Sequence, residues 1–162
     1  MSTNDESDRR LLRHAVATLA YRGARAARGA PPEFASFRAA ASTRTPAEIL
    51  AHVGDLLDWA ESLCRGAETW KDSPPLPWED GVARFHEGLA RLDAALASGG
   101  PLGCSTEKLF QGPIADALTH VGQISMLRRM AGAAVRGENF FRADIAAGRV
   151  GPDQAKPRRE FD

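Results

Sequence analysis

Few of the features that mark out a specialised protein class are present in this chain. Its 162 residues hold two cysteines and one tyrosine. Cys64 and Cys104 form neither a metal-ligand spacing nor a disulfide framework, which suits a reducing compartment. Excess charge of one sign is missing as well: 21 lysines and arginines balance 21 aspartates and glutamates. With no net field to draw the chain to phosphate or anionic lipid, neither nucleic acid nor a membrane is an expected partner. No apolar run approaches the roughly 18 residues of a membrane span. The polar, acidic start (Met1 to Arg10) has no apolar stretch behind it, so no secretory leader is expected and the reading is a cytoplasmic protein. A strand period is absent throughout.

What remains is helical periodicity. Leu11, Leu12, Ala15, Leu19 and Ala26 predict an apolar stripe on a first helix from about Asp5–Ser7 to Arg28, with arginines opposite. Gly29-Ala30-Pro31-Pro32 ends it, and Phe34 and Phe37 are free to pack from the connection. Thr45-Pro46-Ala47-Glu48 carries the clearest start signal, with a hydroxyl at the N-cap, proline first in the helix and glutamate third. This second helix is expected to reach about Gly66, with His52, Leu56 and Trp59 on one inward face. A long link from Ala67 to Pro77 follows. Val82, Phe85, Leu89, Leu92 and Leu96 mark a third helix from Trp78 to Ser98, stopped at Gly99-Gly100-Pro101. After a short turn near Ser105–Phe110, Gly112-Pro113 opens a fourth long helix, with Leu118, Ile124, Leu127 and Met130 inside and Arg128-Arg129 at its end. Four amphipathic helices argue for an all-α bundle over residues 1–150. Residues 151–162 read as an extended or loosely held tail, with the aromatics of Asn139–Ile145 docking just before it. The 67–77 link is long enough for either a hairpin or an end-to-end crossover.

The stretch Asp116-Ala117-Leu118-Thr119-His120-Val121-Gly122-Gln123 holds the chemistry. Asp116 and His120 are one turn apart, so on a helix both can point at one ion. His52, in a second His-Val-Gly triplet, is a third donor. Two histidines and a carboxylate make a three-ligand open set that suits a divalent metal, nickel, zinc, iron or manganese, with room left for water or substrate. A hydrogen bond from His120 to Asp116, or a loop cap by Asp116, is the plainer alternative for the same pair. Gln123, three residues past His120, reaches the same region, as do Asp55 and Trp59 within two turns of His52. Gly54 and Gly122 point away from the ligands and are expected to allow close helix approach.

The run from His120 to Arg129, with His52-Val53-Gly54-Asp55-Leu56-Leu57, resembles the DinB-like (DinB/YfiT) superfamily of four-helix bacterial proteins, over about residues 7–135. In that family a histidine on the second helix and an H-x-x-x-H pair on the fourth bind a divalent metal. His52 matches the first ligand and His120 the last, while Asp116 stands where the family usually has its middle histidine. The resemblance implies up-down-down-up topology with the crossover at 67–77, homodimers, and a metal-dependent enzyme acting on a small molecule, either a thiol S-transferase using a low-molecular-weight thiol or a hydrolase. Such an ion polarises a substrate or lowers the pKa of a thiol or water. No residue stands out as the general base. The alternative is a non-catalytic metal-binding or stress-associated interaction protein.

Other candidates rank lower. His14 and His86 lack partners at ligand spacing and are expected at the surface or its boundary. Cys104 precedes a short helix whose N-terminus can lower a thiol pKa, but an inert loop cysteine is the simpler reading. Tyr21, Trp59 and Phe110 are either pocket or core residues.

Overall fold

A computed structural model of the chain describes residues 3–162, and Met1 and Ser2 lie outside the described residues. The first three long helices form where periodicity and punctuation placed them; in chain order the helices are α1 (Thr3–Ala27), α2 (Pro46–Cys64), α3 (Trp78–Ala97), a single turn α4 (Thr106–Leu109) and α5 (Ala115–Met130). α2 starts on a complete capping box. Thr45 Oγ1 accepts from the Glu48 N–H, and Glu48 Oε2 accepts from the Thr45 N–H at 2.6 Å, so two otherwise orphaned donors are paired. Gly29, Gly99 and Gly132 each take positive φ just past a helix end, a conformation that costs glycine little.

The four long helices form an all-α bundle in which α1 and α2 each pack on both α3 and α5. Leu12, Val16, Leu19, Val53, Leu57, Phe85, Leu89, Ile114, Val121 and Ile124 belong to one buried core. Gly81 sits under Leu50, Gly88 under Leu57, and Arg91 reaches Glu61. Positions therefore advance together along α2 and α3, which run parallel, so the link after α2 must return along the bundle. It is tied to α2 on the way, because Asp55 Oδ2 accepts from the Ser73 N–H at 2.9 Å and Ser62 bonds the backbone of Thr69. In contrast, Arg13 pairs with Asp93 while Gly23 meets Phe85, so α1 and α3 run in opposite directions.

Several local expectations need correction. Leu11 is not in the α1 stripe; it is 69 % exposed, whereas Arg9 is buried and donates to Gly100 O. The fourth helix does not open at Gly112-Pro113. It begins at Thr106 behind the N-cap Ser105 and passes through a π-helical turn, Phe110–Ile114, into α5. Pro113 lies inside that turn and has no N–H to donate, so the helix admits it by widening locally rather than by starting afresh. Met130 is exposed rather than interior, and nothing lies within 4 Å of the position a Cβ on Gly122 would take. Gly54 does meet close packing, against the Arg84 guanidinium. His86 is buried, not superficial, with Nδ1 2.9 Å from Val150 O. Burial raises the Cys104 thiol pKa, opposite to the lowering a helix N-terminus would give.

The C-terminal segment contains a strand pair that no periodicity signalled. β1 (Gly137–Glu138) and β2 (Glu160–Phe161) pair antiparallel, Gly137 with Phe161 and Glu138 with Glu160. Glu138 fixes this ribbon to α1: its carboxylate accepts from Tyr21 Oη at 2.7 Å and pairs with Arg25 at 3.1 Å. Phe140 stands edge-on to Tyr21 and lies under the Arg22 guanidinium. Among the described residues, no helix is long and apolar enough to cross a membrane.

Candidate metal centre

α2 and α5 bring the three sequence-selected donors together. The π turn ends two residues before Asp116 and the capping box fixes the start of α2 two turns before His52. His52 Nε2 is 3.7 Å from Asp116 Oδ2, and His120 Nε2 is 3.4 Å from Asp116 Oδ1. The two imidazoles stand nearly perpendicular, 4.7 Å between centroids. One donor atom from each residue lies within 4.8 Å of the other two. Both carboxylate contacts are longer than a normal N–H···O hydrogen bond. Ligand atoms about 2.0–2.2 Å from a shared tetrahedral ion stand about 3.3–3.6 Å apart; the His120–Asp116 separation falls in that range, and the His52–Asp116 separation, to the other carboxylate oxygen, is slightly longer. The three residues could hold a metal ion, and the donor set fits one.

Gln123 makes that fit sharper. Its Oε1 lies 2.7 Å from His120 Nδ1. A carbonyl oxygen only accepts, so in this contact Nδ1–H is the donor, and Nε2 is the nitrogen that faces the Asp116 carboxylate. The 3.4 Å between Nε2 and the carboxylate is filled either by a proton on Nε2 or by a cation that both groups bind. His52 is readied in the same sense. Burial, and then the nearby charges of His120 and Arg44, lower its pKa against the opposing pull of Asp116 and Asp55, so the ring is neutral and can coordinate at neutral pH.

The remaining predicted residues divide. Asp55 is buried and committed elsewhere, to Arg84 at 2.7 Å and to the Ser73 N–H. Burial pushes its carboxyl pKa up, but those two donors outweigh it and the net shift is down. Trp59 reaches the site only through Trp70: the two rings are 5.8 Å apart, and Trp70 stands edge-on to His52 at 5.7 Å. Tyr21 is core, bonded to Glu138, while Phe110 lies in a separate groove with Leu11 and Leu12.

Sequence reasoning missed Trp70 and Arg44. Both sit in connections without period, and neither has a spacing that points to the ligands. It also missed the cleft of about 470 Å³ beside His120 and Gln123, walled by Ile49, Met126, Leu127 and Met130 and reached by Arg44. Met126 and Met130 are 58 % and 56 % exposed, and two methionines four apart on the outer face of α5 were the available signal. Comparison with protein-family models, with curated proteins and with solved structures finds no match.

Proposed function

We propose that this chain is a divalent-metal-dependent enzyme of the DinB-like type, acting on a small molecule by thiol S-transfer or hydrolysis. The carrying observation is the convergence of His52, Asp116 and His120, with His120 Nε2 turned to Asp116 Oδ1 and its Nδ1 on Gln123 Oε1. His52, Asp116 and His120 would hold the ion. The parallel course of α2 and α3 and the opposed course of α1 and α3 are what an up-down-down-up order requires, and they support the same family reading. A divalent ion bound there would supply Lewis acidity, polarising a carbonyl or acidifying a thiol or water.

The chain's own contributions are separable from the ion's. Gln123 orients His120, and the Trp70 ring shields one side of His52. Asp116 has a side chain 47 % exposed, which leaves the centre open to solvent and substrate on its outer side. Three protein ligands with open positions characterise catalytic rather than structural sites.

The test has two stages. Metal-free protein is titrated with zinc, nickel and manganese by calorimetry, and binding near one equivalent per chain is expected, lost in His120→Ala. Loaded protein is then offered a panel of low-molecular-weight thiols with electrophiles, and of esters and amides. Turnover above free metal supports the enzyme. Binding without turnover leaves a non-catalytic metal-binding protein, and no binding overturns the metal reading.

A further inference from the structure

The cleft beside the proposed centre has a composition that selects its occupant. Ile49 and Leu127 form its buried floor, Met126 and Met130 its outer wall, and His120 and Gln123 close one end toward Asp116. Arg44 is the one formally charged side chain on that lining. The neighbouring arginine is already used, since Arg38 pairs with Glu48 and donates to Thr43 O. Glu48, the nearest acid in sequence, is occupied by that pair and by the capping box. Arg44 makes no hydrogen bond or ion pair among the described residues.

We propose that this cleft binds a small organic acid anion, its acid group on Arg44 and its apolar body against Met126, Leu127 and Met130. A guanidinium recognises a carboxylate or phosphate through paired N–H donors. Unbranched thioether side chains adapt to aliphatic or aryl bodies of different shape. The volume, about 470 Å³, accommodates a molecule of that size. His120 belongs to the same lining, so a ligand held on Arg44 lies beside the ligand set. The assignment rests on the metal-centre reading for its catalytic meaning, but the binding itself does not need the ion.

Hexanoate, hexylphosphonate and 1-hexanol are titrated at pH 8 into metal-free and zinc-loaded protein, followed by methyl resonances of Ile49, Met126, Leu127 and Met130. Both acids are expected to bind at least tenfold tighter than the alcohol in each form and to shift those methyls. Arg44→Gln should remove that preference while leaving alcohol binding unchanged, and Met126→Asp should weaken all three ligands. Hexanoate outranking the phosphonate, or the reverse, names the head group. If zinc fails to bind but the acids still depend on Arg44, the metal reading falls and the anion cleft stands. If the acids bind no better than hexanol, or bind equally well in Arg44→Gln, or shift methyls elsewhere, the anion cleft is overturned whatever the zinc result.

Discussion

Gln123 Oε1 lies 2.7 Å from His120 Nδ1, one helical turn along α5, and so sets which nitrogen of that histidine faces Asp116. Removing this partner frees the tautomer and the ring rotation. Gln123→Leu is expected to weaken zinc binding about 10–100-fold, the usual effect of losing a ligand's outer hydrogen bond, with little change in metal-free stability. Calorimetry gives the affinity. Imidazole ¹⁵N spectra of the metal-free wild type should show His120 protonated on Nδ1; protonation on Nε2 instead would mean that the ring donates to Asp116 and the pair is structural.

Asp116 decides which ion is held. A carboxylate favours harder ions than a third imidazole does, so Asp116→His is expected to retain zinc and nickel and to lose manganese. Asp116→Ala leaves two neutral rings and should lower affinity for all three metals by at least tenfold. Its metal-free stability should change by less than about 1 kcal/mol, because the side chain is half exposed and makes no normal hydrogen bond to either ring. Competition titrations across the three metals check the order.

The residues legible in the sequence were those whose role follows from local spacing. Thr45 and Glu48 announced a capping box, Asp116 and His120 their common face, and Phe85, Leu89, Leu92 and Leu96 their burial. The His52 partnership was legible only because a second His-Val-Gly triplet drew attention to it. What stayed hidden depends on contacts between distant segments. Arg9 falls among the arginines opposite the first helix's stripe and Arg128 among the basic residues that mark a helix end, yet each is buried because it meets backbone carbonyls far away in sequence. The π turn at Phe110–Ile114 follows from a proline that the bundle holds inside a helix, where a local reading sees a helix start. The β1–β2 pair is two residues long on each side, too short for any period to register.

Arg128 ties the ends of two helices together. Its Nη1 donates to Ala26 O and Arg28 O, its Nη2 to Gly29 O and its Nε to Ala133 O. These carbonyls lie at the exhausted C-termini of α1 and α5, where the helices themselves offer no donors. Burial lowers the guanidinium pKa, but it remains a cation facing two negative dipole ends. Arg128→Met keeps much of the apolar stem and removes the donors. It is expected to destabilise the fold by about 3 kcal/mol, measured by urea denaturation. Arg129→Met, one position on, should change stability by less than about 0.5 kcal/mol.

Glu138 holds the C-terminal ribbon through a fully buried carboxylate, between Tyr21 and Arg25. Burial, and then the bond to Glu138, push the Tyr21 phenol up to about 12. Glu138→Ala leaves the Tyr21 hydroxyl without its acceptor and Arg25 with only Glu160 and the Arg136 carbonyl. A loss of about 3 kcal/mol is expected, typical of breaking a buried pair from one side. Because β1–β2 pairing depends on the same residue, limited proteolysis should cut residues 139–162 in the variant faster than in the wild type. Equal cleavage rates would show that the ribbon is held by Phe140 and the strand bonds alone.

His86 gives the fold an acid sensitivity distinct from that of the metal centre. Burial lowers its pKa below the ordinary 6.5, partly offset by the bond to Val150 O. The native ring therefore resists a proton that the unfolded chain accepts once the pH falls through about 6.5. Its contribution to stability is fully present above that value and is lost as the pH falls from there toward the lower native pKa, with a slope of at most about 1.4 kcal/mol per pH unit for one proton. His52, also lowered, acts in the same direction, so the comparison uses metal-free protein and two variants. Urea denaturation at pH 7.5 and 5.5 should show that His86→Gln loses part of the wild-type pH dependence and His52→Gln a separate part. Val150 is the acceptor for His86, so amide protection factors around residues 148–152, corrected for the slower intrinsic exchange at low pH, should fall at pH 5.5 in the wild type before those of the bundle core. If the protection factors there are the same at both pH values, protonating His86 does not release this segment.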